Sequence, residues 1–197
     1  MAEAADRSRS GGLRAVLLGA PGSGKGTQAE FLAASLGVPA ISTGAMLRDA
    51  VALGSALGSK VEGIMASGGL VDDALMAEVV RERLGRPDAA GGFLLDGYPR
   101  TTGQAAMLDS ILEERQEKLD AVVLLEVPEA VLVERAVARK RADDGEEVVR
   151  ERLRVYREKT EPLVEHYERR NLLRRVDGNR TMREVTAASL KMLGRQA

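Results

Sequence analysis

Gly19-Ala20-Pro21-Gly22-Ser23-Gly24-Lys25-Gly26-Thr27, near the start of the chain, has the residue types and spacing that phosphate chemistry needs. Glycines let the backbone turn so that successive N–H groups point inward around phosphate oxygens. A helix beginning directly afterwards adds the positive end of its dipole. Within Gly22, Ser23, Gly24, Lys25, Gly26 and Thr27, the lysine can reach β- and γ-phosphates and the threonine hydroxyl can lie near a bound metal. Gly26 departs from the general pattern, which places Ser or Thr directly after the lysine. The bland alternative is a glycine-rich turn with a solvated lysine. A strand before the loop and a helix after it argue for nucleotide binding.

Asp96 closes the apolar run Phe93-Leu94-Leu95, so its carboxylate emerges at the carboxyl end of a strand. That is a place to hold a phosphate-bound Mg²⁺ through water, although a plain turn aspartate before Gly97 would look the same. Acid–base chemistry has little to work with. The single histidine, His166, lies on a long amphipathic segment and is read as a surface or packing residue. There is no Cys, which excludes a thiolate nucleophile, a disulfide framework and a Cys-held zinc site. The 29 basic and 30 acidic side chains of the 197 residues nearly cancel, which argues against a general nucleic-acid binder.

The elements that would position these groups follow from the pattern of apolar runs. Short runs at Ala15–Leu18, Pro39–Ser42, Phe93–Leu95 and Val122–Leu125 predict strands. Leu172–Val176 is a weaker fifth, because Arg174 and Arg175 interrupt it. Thr27–Leu36, Asp109–Lys118 and Glu129–Ala138 predict helices, and Glu146–Arg170 a long one that Pro162 breaks or kinks. Thr181 and Glu184 have capping-box spacing and open a last helix toward Leu193. Strands alternating with helices imply a mostly parallel sheet covered on both faces, with the ligand beyond the strands' carboxyl ends. No apolar window reaches the roughly 20 residues of a membrane span, and residues 1–12 carry no secretory signal. Those residues are expected to form a disordered tail.

Four motifs in this order, GAPGSGKGTQ (Gly19 to Gln28), ISTGAMLR (Ile41 to Arg48), GFLLDGYPRT (Gly92 to Thr101) with Gln104, and RKRADD (Arg139 to Asp144), resemble the signatures of adenylate kinases. The similarity runs from about Leu13 to Leu193, and Gly after the loop lysine is itself typical of nucleoside monophosphate kinases. The resemblance implies an α/β fold, a P-loop NTPase three-layer sandwich with a central parallel sheet. It implies one domain over 13–197, with a small helical AMP-binding insertion at 42–71 and a short lid at 138–144. It further implies reversible, Mg²⁺-dependent transfer of the ATP γ-phosphate to AMP, giving two ADP, in a cytoplasmic monomer with no structural zinc.

Residue roles follow from the same resemblance. Lys25, Arg100, Arg139, Arg141 and Arg152 would serve the transfer, and Arg135, Arg139 and Gly178 would join the loop in holding ATP. AMP would be held by Thr43, Arg48, Gly69, Leu70, Val71, the turn Gly97-Tyr98-Pro99-Arg100, Gln104, Arg141 and Arg152, and the metal by Asp96 and Thr27 through water. Guanidinium forks suit phosphate oxygens and keep their charge at any working pH. Arg150, Arg154 and Arg157 are instead assigned to a solvated helix face. Ala45 departs from the family, which commonly has an acidic residue there. The competing readings are a UMP/CMP kinase, disfavoured by Thr43 with Gln104, and a non-catalytic P-loop module, disfavoured by a second set of phosphate arginines.

Overall fold

The computed structural model describes residues 12–138 and 145–195. Five strands form one wholly parallel sheet: β1 (Arg14–Leu18), β2 (Ala40–Ser42), β3 (Phe93–Asp96), β4 (Ala121–Glu126) and β5 (Leu173–Asp177). Their spatial order is β2-β3-β1-β4-β5. Chain direction across the sheet therefore reverses around β1, whose carboxyl end opens onto the crevice where parallel sheets bind ligands.

Side-chain alternation along β1 sorts the core into two layers. Val16 and Leu18 face one side, with Phe93 and Leu95 of β3 and helices α4 (Asp73–Leu84), α5 (Thr102–Glu114) and α8 (Pro162–Arg169). Ala15 and Leu17 face the other, packed on α1 (Lys25–Leu36) and α9 (Met182–Met192) through Leu32, Val185 and Leu190. The three-layer arrangement is thus a direct consequence of strands apolar on both faces. A smaller cluster of Ala20, Leu132, Ala136, Val149 and Leu153 seats α6 (Glu129–Ala138) and α7 (Glu146–Val155) under the glycine-rich loop. Between β2 and β3, α2 (Thr43–Ala52) and α3 (Ala56–Ala66) precede α4 and form the helical insertion.

The first helix begins two residues earlier than predicted, at Lys25, and two others differ more from their predicted limits. The one expected at Asp109–Lys118 begins at Thr102, because Thr101 caps it by accepting a hydrogen bond from the Gln104 N–H. It ends at Glu114, since Gln116 takes a left-handed conformation (φ 57°) and the Glu117 N–H reaches back to the Leu112 carbonyl. The long helix is interrupted as expected near Pro162, but by a wide turn over Tyr156–Thr160 that precedes the proline. Pro162 then opens α8, where its missing N–H costs nothing. β5 pairs only with β4 and exposes Arg175, which explains its weak apolar signal. The capping box of α9 is present, with Thr181 and Glu184 bonded reciprocally.

Candidate nucleotide cleft

One cleft of about 950 Å³ opens at the carboxyl ends of β1, β2 and β3 and gathers nearly all the predicted groups. Its floor is the glycine-rich loop. Gly22 (φ 86°) and Gly24 (φ 91°) hold left-handed conformations that side chains rarely adopt, and α1 starts at Lys25. The Lys25 Nζ donates to the carbonyls of Gly19 (2.5 Å) and Ala20 (2.9 Å), so the lysine is held over the loop by its own backbone. Ser23 is buried, whereas Thr27 is exposed at the first turn of α1.

Asp96 stands at the rim between the loop and α2. Its Oδ2 accepts a hydrogen bond from the Ser42 hydroxyl (3.2 Å) and lies 3.8 Å from where a Cβ on Gly26 would be. A side chain at 26 would meet this carboxylate only at ordinary contact distance, so packing does not by itself require the glycine after Lys25. Asp96 supplies one hard oxygen donor group to the cleft that Thr27 also lines, which suits a cation already coordinated by phosphates. Among the described residues, no group of three or more His, Cys, Asp or Glu could hold a metal on its own.

In the same cleft, three arginines converge from three elements: Arg48 on α2, Arg100 after β3 and Arg152 on α7. A Cβ on Gly44 would lie 3.4 Å from Arg48 Nη1 and 4.0 Å from Arg100 Nη2, so both guanidinium groups crowd one spot. Burial holds the Arg100 pKa below its usual value, with Asp96 opposing and the positive charges of Arg152 and Arg48 reinforcing the shift. Mutual repulsion of this kind favours an anion between the groups. Arg100 is fixed by its own Nε donating to the Gly97 carbonyl (2.8 Å) and by its carbonyl accepting from the Thr160 hydroxyl (2.8 Å). The wide turn before Pro162 carries that threonine, so the interruption of the long helix supports the site.

Thr43, Gly69, Leu70, Val71, Gly97, Pro99 and Gln104 line the same cleft. The Tyr98 side chain does not, being buried with its hydroxyl on the Gln104 carbonyl and its pKa raised by that burial. Arg135 lines the opposite end, where its Nη1 donates to the Gly178 carbonyl (3.0 Å). Gly178 is a packing requirement as well as a turn, since a Cβ would meet Val127 Cγ2 at 2.7 Å. Arg139 and Arg141, with lid residues 139–144, lie outside the described residues. Arg150 and Arg154 form exposed ion pairs with Glu146, Glu151 and Glu158, and Arg157 pairs with Glu129, in keeping with a solvated face.

Sequence reasoning missed Ser42, Asp73 and Thr160. Asp73 accepts from Gln104 Nε2 (2.9 Å) through Oδ1 and from the Thr101 hydroxyl (2.8 Å) through Oδ2. Beside Asp72, it reads in the sequence as another acid at a helix N-terminus, and its partners are 28 and 31 positions away. No helix among the described residues is long and apolar enough to cross a membrane.

A parallel α/β sheet, a phosphate loop at its switch point and arginines lining the same cleft are the arrangement of a phosphotransferase of the nucleoside monophosphate kinase type. The family model described as Adenylate kinase matches residues 17–172. An adenylate kinase of Nocardia farcinica (strain IFM 10152) is 49% identical over 183 residues, covering 93% of this chain and 100% of the relative. One from Sinorhizobium medicae (strain WSM419) is 48% identical over 191 residues, covering 92% and 100%. Adenylate kinase 1 of Synechocystis sp. (strain ATCC 27184 / PCC 6803 / Kazusa) is 48% identical over 178 residues, covering 90% and 95%. The chain belongs to the adenylate kinase family.

Proposed function

We propose that this cleft transfers the γ-phosphate of Mg²⁺-bound ATP reversibly to AMP, giving two ADP. The observation that carries the reading is the convergence of Arg48, Arg100 and Arg152 across Asp96 from Lys25, which makes two anion sites in one cleft. A nucleotide-binding switch needs only one.

The residue roles are these. The backbone of Gly22 to Thr27 cradles the donor phosphates, and Lys25 exchanges its carbonyl partners for phosphate oxygens. Arg135 and Gly178 form the donor-base end of the cleft. Arg48 and Arg100 grip the AMP phosphate, while Thr43, Gln104 and the backbone of Gly69 to Val71 receive its base. Arg152 reaches the group in flight, with Arg139 and Arg141 completing the set from the lid segment 138–144. Mg²⁺, when bound, neutralises phosphate charge and aligns the oxygens for in-line displacement. Asp96 and Thr27 would hold it through water. No general base is required, because AMP is mostly a dianion above its second pKa of about 6. Closure of the AMP segment 42–71 and the lid excludes water, which would otherwise hydrolyse ATP.

ADP production from ATP, measured with and without AMP, tests the reading. Formation that depends on AMP supports it, and AMP-independent formation returns the protein to the binding-module class. Coupled assays with CMP and UMP separate the pyrimidine kinases. A dinucleotide spanning both sites should inhibit far better than either mononucleotide. A monomer in the cytoplasm is the form in which we expect the enzyme to work, and sedimentation equilibrium checks the first part.

A further inference from the structure

Gln104 is 2% exposed, yet its side chain lines the cleft. A buried amide can be inserted either way round, and the two orientations exchange a donor for an acceptor. Here the choice is imposed from both ends. The Arg100 N–H donates to Gln104 Oε1 at 2.7 Å, and Asp73 Oδ1 accepts from Gln104 Nε2 at 2.9 Å. An ionised carboxylate has no proton to donate, so it tolerates only the nitrogen. The other oxygen of Asp73 takes the Thr101 hydroxyl, and a Cβ on Gly103 would meet it at 2.8 Å. Thr101, Gly103 and Gln104 thus form a seat at the start of α5 for a carboxylate borne by the first residue of α4.

We propose that Asp73 is a positioning residue for acceptor-base selection, locking the Gln104 amide so that its remaining N–H and oxygen lone pair face the base. This rests on the assignment of Gln104 to the acceptor base. A locked amide offers one donor beside one acceptor, which complements a 6-aminopurine edge with its ring nitrogen acceptor and amino donor. A 6-oxopurine presents the reverse order, an N–H donor beside a carbonyl acceptor. Inserted against the locked amide, it leaves buried groups unpaired, and such mismatches discriminate strongly.

The test is the ratio of kcat/KM for AMP to that for inosine monophosphate, with ATP as donor, in the wild type, Asp73→Ala, Asp73→Asn, Gln104→Ala and Asp73→Ala/Gln104→Ala. Asp73→Ala should lower the ratio about 10-fold through KM for the monophosphate. Asp73→Asn keeps one acceptor oxygen of two and should fall between it and the wild type. In the Gln104→Ala background, removing Asp73 should change the ratio no further. If Gln104→Ala lowers the ratio while Asp73→Ala and Asp73→Asn keep the wild-type value, or lower both substrates equally, Asp73 is only structural and the proposal is overturned. If Gln104→Ala leaves the ratio unchanged, the assignment of Gln104 fails instead and takes the inference with it. Asp73→Asn keeps the shape of the side chain and decides the matter should Asp73→Ala not fold.

Discussion

Gly22 of the phosphate loop lies directly against Leu132 of α6: a Cβ on the glycine would stand 2.2 Å from the Leu132 carbonyl oxygen. Loop and helix are therefore in backbone contact, on the helix that runs to Ala138. The glycine is required twice, by its left-handed φ of 86° and by this approach. Gly22→Ala should cost about 3 kcal/mol, combining the left-handed penalty with displacement of α6. Gly37→Ala is the control, since its φ is 65° but no atom lies within 4 Å of the added Cβ. It should cost only about 1–2 kcal/mol. Urea unfolding of both variants measures the difference, and equal losses would show that the contact with Leu132 is unimportant.

Removing the lysine charge should separate catalysis from stability. Lys25 Nζ donates to the carbonyls of Gly19 and Ala20, both buried residues, so removing it leaves those oxygens one donor short. Lys25→Met should lower kcat by about 10²–10³-fold, the usual loss when one donor to a developing phosphate or oxyanion charge is removed. The midpoint of thermal unfolding should fall by only a few degrees, about 2–4 °C for each kcal/mol lost with those hydrogen bonds. A variant with near-normal kcat would remove Lys25 from the transfer step.

His166 should act on acid stability and not on catalysis. Its ring meets that of Tyr167 edge to face, with Nε2 3.1 Å from Arg170 Nη1, and burial lowers its pKa, Arg170 and Arg169 adding to the effect and Asp109 opposing it. The unfolded chain therefore binds a proton more readily than the folded one. The sign follows: stability falls as pH drops through the unfolded value near 6.5, and the loss is complete below the folded pKa. His166→Gln should remove that part of the acid sensitivity, read as a smaller difference in melting temperature between pH 7 and pH 5. The pH dependence of KM for AMP should be unaltered, because it follows the phosphate's pKa of about 6.

The strands that carry the phosphate loop and Asp96 are legible because they are buried on both faces, so their apolar runs are uninterrupted. β5, at an exposed edge with Arg174 and Arg175, gives a fainter signal for the complementary reason. The residues we propose to bind phosphate announce themselves by type: a lysine after glycines, or an arginine after a strand. The residues that aim them do not. Thr160 reaches Arg100, and Asp73 reaches Gln104, only because a wide turn and a helix start are brought together from distant parts of the chain. Pro162 was readable as an interruption, but the interruption's use is visible only in the fold.

Ala45 offers a gain-of-function test. It lines the cleft in the first turn of α2, which holds no acidic residue. The N-cap hydroxyl of that helix, Ser42, makes no capping bond and is turned instead to Asp96. The positive end of α2 and the rim carboxylate are therefore neighbours, and position 45 sits between the helix start and Arg48 one turn on. An acidic side chain there would complement the dipole, worth about 0.3–1 kcal/mol, and would add oxygens beside Asp96 to order water around a phosphate-bound metal. Ala45→Asp should raise the unfolding free energy by that amount and lower the Mg²⁺ concentration needed for half-maximal turnover. Should both the Mg²⁺ dependence and kcat match the wild type, the alanine leaves the metal site no less organised than an acidic residue would. A rise in KM for AMP with no change in Mg²⁺ dependence would instead mean that the new carboxylate ties up Arg48, which shares this helix and faces the same spot as Arg100.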